Sequence, residues 1–265
     1  MTGSGIAPGV ALVTGAGQRL GREMALYLAR RGFSVAFHYA ASRDGAEEAA
    51  AEARGFGVRA VALYADLLDE AATTALLPAA VSALGGPVTV LVNSASIFEY
   101  DTIHTATRES WDRHIGSNLR APFLLTQAMA AQGLVPDLSE GEPRATGLIV
   151  NMIDQRVHKL TPEFMSYTIA KMGLWAMTRT TAQALAPAIR VNAIGPGPTL
   201  RGIRQSESHF ARQRAATILE RGANASDIVA ALGFFLDSPS VTGQLICADG
   251  GQHLAWKTPD ILGVE

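Results

Sequence analysis

Cysteine and paired histidines are scarce in this sequence. Of its 265 residues only Cys247 is a cysteine. One thiol cannot form an intrachain disulfide or a multi-thiolate metal site, so we expect a reducing compartment. None of the six histidines lies at H-x-x-x-H or a similar ligand spacing, and we therefore predict no metal site.

Strong charge and long hydrophobic runs are absent as well. Charged residues make up 17% of the chain and the net charge is -2, so the surface has no general attraction for nucleic acid or an acidic membrane. Residues Met1 to Gly9 carry no basic segment, and the apolar run that follows is short. No stretch is long enough to span a bilayer. We expect a soluble cytoplasmic protein without nucleic-acid or membrane partners.

Hydrophobic residues are plentiful at 48%, and they fall into short β-branched runs that alternate with segments of helical period. This alternation predicts βαβ units, and wholly apolar strands suit a sheet covered on both faces. We predict one α/β domain over residues 1–265, a doubly wound, Rossmann-like parallel sheet of about seven strands with helices on both faces. The predicted strands are Val10–Val13, Ser34–Tyr39, Arg59–Tyr64, Val88–Asn93, Leu148–Met152, Arg190–Ile194 and Gln244–Ala248.

A glycine cluster follows the first strand and leads into a helix. Backbone N–H groups and the helix dipole at such a turn can hold a pyrophosphate. Gly15 and Gly17 fit the dinucleotide pattern, but Leu20 occupies the position of the third glycine and Gly21 comes one residue later. An ordinary glycine-rich turn is the alternative reading of this cluster.

The end of the second strand indicates which dinucleotide binds. An acid there selects NAD through the ribose 2′-hydroxyl, and no acid occurs from Met24 through Arg43. Ser42 and Arg43 stand there instead, and Arg19 of the glycine loop can reach the same place. Guanidinium groups suit a 2′-phosphate, so NADP is the implied cofactor. The alternative is that both arginines are solvated surface residues.

Tyr167 and Lys171 are one helical turn apart, which places the phenol and the ammonium on one face. A free tyrosine titrates near pH ~10. Proton transfer at neutral pH needs a lower value, and a fixed cation can supply that shift. We therefore expect Lys171 to lower the pKa of Tyr167.

The chain resembles the short-chain dehydrogenase/reductase family over nearly its whole length. The motifs that carry the resemblance are Thr14-Gly15 with Gly21, Asn93-Ser94-Ala95, Asn118, Tyr167 with Lys171, and Pro196-Gly197. The resemblance implies that Tyr167 exchanges the substrate proton, that Lys171 holds the nicotinamide ribose and that Asn118 supports a relay water. It also implies a homo-oligomer, of tetrameric form.

The same resemblance assigns the cofactor-binding positions. Pro196 and Gly197 would bound the nicotinamide, and Thr199 would bond its carboxamide. The other positions that we assign to the cofactor are Gly15, Gly17, Arg19, Leu20, Gly21, His38, Tyr39, Ser42, Asp66, Leu67, Asn93, Ser94, Ala95, Tyr167 and Lys171.

Two departures from the common family pattern are similar to pteridine reductases and the related dihydromonapterin reductases. Arg19 replaces the middle glycine, and Asp154 stands where most members have serine. The His38-Tyr39 pair also matches that branch, as does Phe98, which would stack a pterin against the nicotinamide. Ser94 departs from it, because the branch more often has asparagine there. The implied substrate-binding residues are Ser96, Phe98, Asp154 and Tyr167.

The chemistry of Asp154 favours this branch. A carboxylate repels the alkoxide formed in ketone reduction, whereas a carboxylic acid working with Tyr167 suits protonation of a ring nitrogen during C=N reduction. A carbonyl reductase of the 3-oxoacyl or sugar-alcohol type is the first alternative. A non-catalytic NADP-binding sensor is the second, and Asp154 would then only cap an Asx turn.

Overall fold

A computed structural model describes residues 5–202 and 205–256. Their strands form one seven-stranded sheet in which every pairing is parallel, in the order β3-β2-β1-β4-β5-β6-β7. The strands are β1 Val10–Val13, β2 Ser34–Tyr39, β3 Ala60–Tyr64, β4 Val88–Asn93, β5 Gly147–Met152, β6 Ile189–Pro196 and β7 Leu245–Ala248. The predicted fold class is confirmed.

Helices connect the strands and cover both faces of the sheet. They are α1 Arg19–Arg30, α2 Arg43–Arg54, α3 Glu70–Leu84, α4 Arg108–Ile115, α5 Ala121–Ala130, α6 Met165–Leu185, α7 Glu207–Ala215 and α8 Ala225–Asp237. A π-helical segment over Gly116–Arg120 joins α4 to α5, and short 3-10 turns span Gln155–His158 and Gln252–Leu254. No helix within the described ranges is long and apolar enough to cross a membrane.

Alternation along the strands divides the core into two layers. Ala11 and Val13 pack with the buried faces of α1, α2 and α8, whereas Val10 and Leu12 pack with α3 and α5. Successive strand residues point to opposite faces, so an unbroken apolar run is what a doubly covered strand requires. Every residue of β1 and β5 is buried accordingly.

Three strands, β1, β2 and β4, have the predicted ends, and the other four differ from them by one or two residues at an end. The largest difference is in β6, which runs on to Pro196 because Gly195 and Pro196 still pair with Cys247 and Ala248 of β7. A proline is tolerated there because it lies at the end of the strand. Local sequence alone does not indicate this pairing.

The direction of winding reverses between β1 and β4, which are neighbours although β2 and β3 lie between them in the chain. In open parallel sheets, ligands bind beyond the carboxyl ends of the strands at such a switch point. The glycine loop after β1 and the segments after β4 and β5 therefore meet at one edge of the sheet.

The tightest backbone approach in the glycine loop predicts an intolerant position. A Cβ on Gly21 would lie 2.2 Å from the carbonyl oxygen of Gly15, whereas a Cβ on Gly86 would meet only a side-chain methyl at 3.6 Å. Gly21→Ala must displace backbone, so we expect it to lower the free energy of unfolding by about 1–3 kcal/mol. We expect Gly86→Ala to stay within about 0.5 kcal/mol of wild type. Denaturant unfolding measures both, and equal stabilities would contradict the close approach.

Candidate active site

A cleft of about 770 Å³ opens at the switch point. The predicted residues that line it are Gly15, Arg19, Leu20, Gly21, His38, Ser42, Asp66, Leu67, Ser94, Ala95, Ser96, Phe98, Tyr167, Lys171 and Pro196. Gly17, Tyr39, Asn93, Asn118, Asp154, Gly197 and Thr199 do not line it. Tyr64, Arg113, Ser117, Met152 and Ile153 line it without having been predicted, because they come from segments that carry no motif.

The floor of the cleft is held by one threonine. Thr14 Oγ1 accepts hydrogen bonds from the backbone N–H groups of Ser94 at 2.9 Å and Ala95 at 3.0 Å. Gly15 follows with a φ of 65°, in the left-handed region that glycine adopts without cost. The ends of β1 and β4 are thereby fixed against each other.

His38 has a structural task at this floor. Its Nδ1 accepts from the N–H of Gly15 at 3.1 Å, so the proton resides on Nε2, which donates to the Ala65 carbonyl at 3.0 Å. Burial lowers the pKa of His38, which keeps the ring neutral. Tyr39 does not reach the cleft and packs on Tyr64, with ring centroids 5.8 Å apart. Tyr64, and not Tyr39, therefore lines the cleft where we expected a cofactor contact.

Arg19 makes contacts that were not predicted. Its Nη1 donates to the carbonyl of Arg201 at 2.9 Å and its Nη2 to the carbonyl of Leu200 at 3.1 Å. The residue has a φ of 54°, a conformation that costs an L-residue roughly 1–2 kcal/mol. In this conformation the guanidinium joins the glycine loop to the chain after β6, and its contact with a 2′-phosphate stays a prediction.

Asp154 and Tyr167 form a hydrogen-bonded pair beside the cleft. The Tyr167 hydroxyl donates to Asp154 Oδ2 at 3.0 Å, and the backbone N–H of Arg156 donates to Oδ1 at 2.8 Å. Asp154 also precedes the 3-10 turn over Gln155–His158 as its N-cap. The turn-capping role and the contact with the acid–base tyrosine therefore coexist in one side chain.

Lys171 is buried in the same group. Its Nζ donates to the Met152 carbonyl at 2.8 Å and lies 5.6 Å from the Tyr167 ring centroid. Burial lowers the pKa of Lys171 to about 8. One turn of α6 thus places the ammonium of Lys171 and the phenol of Tyr167 beside the Asp154 carboxyl, which follows β5.

Proton affinities in this group correct one expectation. Burial raises the pKa of Tyr167 well above its usual value, and the Asp154 charge and hydrogen bond add to the rise. Burial also raises the pKa of Asp154, against the opposing hydrogen bond from Arg156. The net pKa of Tyr167 is therefore raised in this conformation, and the lowering expected from Lys171 does not prevail. Burial thus favours the neutral forms of both groups.

Asn118 lies in the π-helical segment and serves the loop after β4. Its Nδ2 donates to the Ile97 carbonyl at 2.8 Å and its Oδ1 accepts from the Ile97 N–H at 2.9 Å. Both ends of the amide hold this loop, and the relay-water role of Asn118 stays a prediction. Thr199 Oγ1 likewise donates to the Gly197 carbonyl at 3.1 Å and is buried away from the cleft.

An aromatic cluster borders the substrate end of the cleft. Phe98 stacks on Phe164 with centroids 4.3 Å apart and planes 9° apart, and it meets the Tyr167 ring at 4.7 Å edge to face. Tyr100 contacts the edge of Phe164 at 5.1 Å. Phe164 was not predicted, because nothing local distinguishes it from a core residue that precedes a helix.

A buried polar network lies behind the cluster and was also not predicted. Ser166 donates through Oγ and through its backbone N–H to the carboxylate of Asp101. His114 Nε2 accepts from the Glu99 N–H at 3.1 Å, so its Nδ1 carries the proton and donates to Ser166 Oγ at 2.7 Å. The network ties the Phe98 loop to the residue that precedes Tyr167.

The Asp101 carboxylate makes this network sensitive to acid. Burial works to raise the pKa of Asp101, but hydrogen bonds from Ser166 and Ser110 outweigh it, and the pKa lies below the ordinary value. The stabilisation is complete above pH ~4 and is lost as the pH falls through the folded-state pKa. We expect Asp101→Asn to lower the free energy of unfolding by about 1–3 kcal/mol at pH 7.

Unfolding measured from pH 7 to pH 3 checks this expectation. The difference between wild type and Asp101→Asn should shrink below pH ~4. Asp112→Asn is the matched control, because that carboxylate lies on the surface and its loss should change the free energy by under about 0.5 kcal/mol. A gap that stays constant with pH would show that the charge of Asp101 is not what stabilises the network.

The chemistry of the cleft fits a dinucleotide and offers no metal centre. Gly15 and Gly21 line the cleft at the start of α1, where backbone N–H groups can hold a diphosphate. The buried Oδ1 of Asn93 has no hydrogen-bond partner in the part of the chain that the structure describes. Within those same residues, no three His, Cys, Asp or Glu side chains are placed to hold a metal ion.

Comparison with known proteins identifies the class. The family model described as enoyl-(acyl carrier protein) reductase matches residues 15–253. The chain therefore belongs to the short-chain dehydrogenase/reductase family. It is 30% identical over 249 residues to the 3-oxoacyl-[acyl-carrier-protein] reductase FabG of Staphylococcus aureus strain N315, covering 92% of this chain and 98% of that protein.

Solved structures give a more particular likeness. The structure described as FolM alternative dihydrofolate reductase 1 from Brucella canis, complexed with NADP, superposes with a TM-score of 0.88 at 41% identity. It covers 97% of this chain and 99% of that one. The corresponding Brucella suis structure, also with NADP, has a TM-score of 0.87 at 42% identity over 97% and 99% of the two chains.

Proposed function

We propose that this protein is an NADPH-dependent reductase that delivers hydride to a C=N bond of a dihydropteridine. The observation that carries the proposal is the hydrogen bond between the Tyr167 hydroxyl and Asp154 Oδ2. Burial raises the pKa of the Asp154 carboxyl, a shift in the direction that a group relaying protons to a ring nitrogen needs. The likeness to the two alternative dihydrofolate reductases supports the same substrate class.

NADPH is the proposed reductant and supplies the hydride. The diphosphate would lie on the glycine loop, and Lys171 would hold the nicotinamide ribose. Ser42 lines the cleft and makes no capping hydrogen bond to α2, so its hydroxyl and the exposed Arg43 side chain can meet a 2′-phosphate at the start of this helix. The NADP complexes of the Brucella proteins support this choice.

Proton delivery follows from the contacts of this chain's own residues. Tyr167 lies between Asp154 and the cleft, since Tyr167 lines the cleft and Asp154 does not. In the proposed step the phenol gives its proton to the substrate nitrogen, and Asp154, once it has taken up a proton from water, returns one to the phenolate. The Arg156 N–H fixes the carboxyl in this orientation.

Asp154→Ser tests the substrate class, because serine restores the residue that ketone reductases use. Following NADPH absorbance, we expect wild type to reduce 7,8-dihydrobiopterin in preference to an acetoacetyl thioester. Asp154→Ser should lower kcat for the dihydropterin by about 10²-fold with little change in NADPH affinity. If wild type reduces only the thioester, it is a carbonyl reductase like the FabG relatives. If the protein binds NADPH but reduces neither substrate, the result would favour the alternative of a non-catalytic NADP-binding sensor.

Tyr167→Phe isolates the phenolic hydroxyl. The ring still packs on Phe98, so we expect unchanged NADPH affinity and a kcat lower by about 10²–10⁴-fold. Tyr27→Phe is the matched control: its hydroxyl accepts from Arg31 away from the cleft, so kcat should stay within about twofold. Steady-state kinetics and NADPH titration measure both. Activity of Tyr167→Phe close to wild type would remove this residue from the mechanism.

A further inference from the structure

Resting on the proposed function, we propose that Arg156 selects dihydropteridines that carry a carboxylate on their side chain. Arg156 lies in the 3-10 turn directly after Asp154, and its backbone N–H holds the Asp154 carboxyl. The residue is thus anchored beside the proton-donating pair. Its side chain extends from there to the aromatic cluster.

The Arg156 guanidinium is part of the wall behind the substrate end of the cleft. Its central carbon lies 5.1 Å from the centroid of the Phe164 ring. Phe164 stacks on Phe98, which lines the cleft. A cation over an aromatic face is held in place without neutralising its charge. The positive charge of Arg156 is therefore connected to the cleft by two contacts, one with Phe164 and the next between Phe164 and Phe98.

The guanidinium of Arg156 forms no ion pair with an acid in the described part of the chain, although its charge acts on the nearby Asp154 carboxyl. Among residues 5–202 and 205–256, the Arg156 Nη1 donates only to the neutral hydroxyl of Thr161, at 2.5 Å. Its Nε is enclosed and has no acceptor within that part of the chain. An unsatisfied enclosed donor costs about 1–3 kcal/mol, a cost that a ligand carboxylate accepting from the guanidinium fork would offset.

The surrounding turn favours an anion as well. His158 and Lys159 follow Arg156 and are exposed, as is the acidic Glu163 further along the chain. Phe164 has a φ of 55°, and for so bulky a residue the left-handed conformation costs roughly 1–2 kcal/mol. Such a cost persists where the surroundings fix it and is concentrated at functional sites. Here it keeps the ring between the cleft and the cation.

The distances define where the anionic group of the substrate must be. A pteridine ring held against Phe98 is separated from Arg156 by the Phe98–Phe164 stack. A carboxylate on the ring itself would fall short, whereas one on an extended side chain can reach. The predicted substrates are dihydropteridines with an acidic tail, as in dihydrofolate, rather than those with a short neutral polyol.

Paired substrates and variants test this inference. Wild type, Arg156→Met, Arg156→Lys and the control Lys159→Met are assayed with NADPH and either 7,8-dihydrofolate or the neutral 7,8-dihydrobiopterin. We expect Arg156→Met to lower kcat/KM for dihydrofolate by about tenfold, equivalent to ~1.4 kcal/mol, mainly through KM. Its kcat/KM for dihydrobiopterin should change by less than threefold. Arg156→Lys should recover part of the loss, and Lys159→Met should resemble wild type.

The outcomes separate this inference from the proposed function. Equal losses on both substrates, or none on dihydrofolate, would overturn the selective role of Arg156 while leaving dihydropteridine reduction intact. Wild type that reduces dihydrobiopterin but not dihydrofolate would do the same. Failure of wild type to reduce either substrate would contradict the proposed function, and the inference with it. NADPH titration and thermal unfolding show whether each variant remains folded.

Discussion

The hydrogen bonds that Thr14 Oγ1 accepts from Ser94 and Ala95 are the contact on which the rest of the site depends. They join β1 to β4 where the sheet reverses its direction of winding, so they set the separation of the glycine loop from the loop that carries Phe98. His38 extends the same join to β2 and β3. A parallel sheet gathers the carboxyl ends of its strands at one edge, and these few bonds make that edge a defined cleft.

Around the cleft, two kinds of polar group differ in their surroundings. Hydrogen-bonded side chains fix the loops, whereas Asp154 and Tyr167 have raised pKa values. Asn118 binds both backbone groups of Ile97, and the Asp101 network holds the start of α6. Asp154 and Tyr167 instead share one hydrogen bond in a setting that burial makes unfavourable for charge. The residues that hold the loops have satisfied hydrogen bonds and stabilise the fold. The residues proposed to transfer a proton are instead ionisable groups whose burial is unfavourable for charge.

Much of the fold and part of the site follow from sequence patterns. The apolar runs located all seven strands to within two residues at each end, because a strand covered on both faces is mostly apolar. The motif residues Gly15, Tyr167 and Lys171 line the cleft, since each lies directly at a strand end or on the first turns of α6. The contacts of Arg19 and Asn118 were not predicted, because their side chains bind backbone groups that are distant in sequence.

The sequence by itself determined the parallel sheet, the dinucleotide loop and the Tyr–Lys pair, because each depends on spacing within one element or on one strand-turn-helix unit. Only the tertiary structure decided that Phe164 stacks on Phe98, that Asp101, His114 and Ser166 form one buried network, and that the pKa of Tyr167 is raised rather than lowered. These properties depend on burial and on contacts between residues that are far apart along the chain. Neither burial nor such contacts can be read from local spacing.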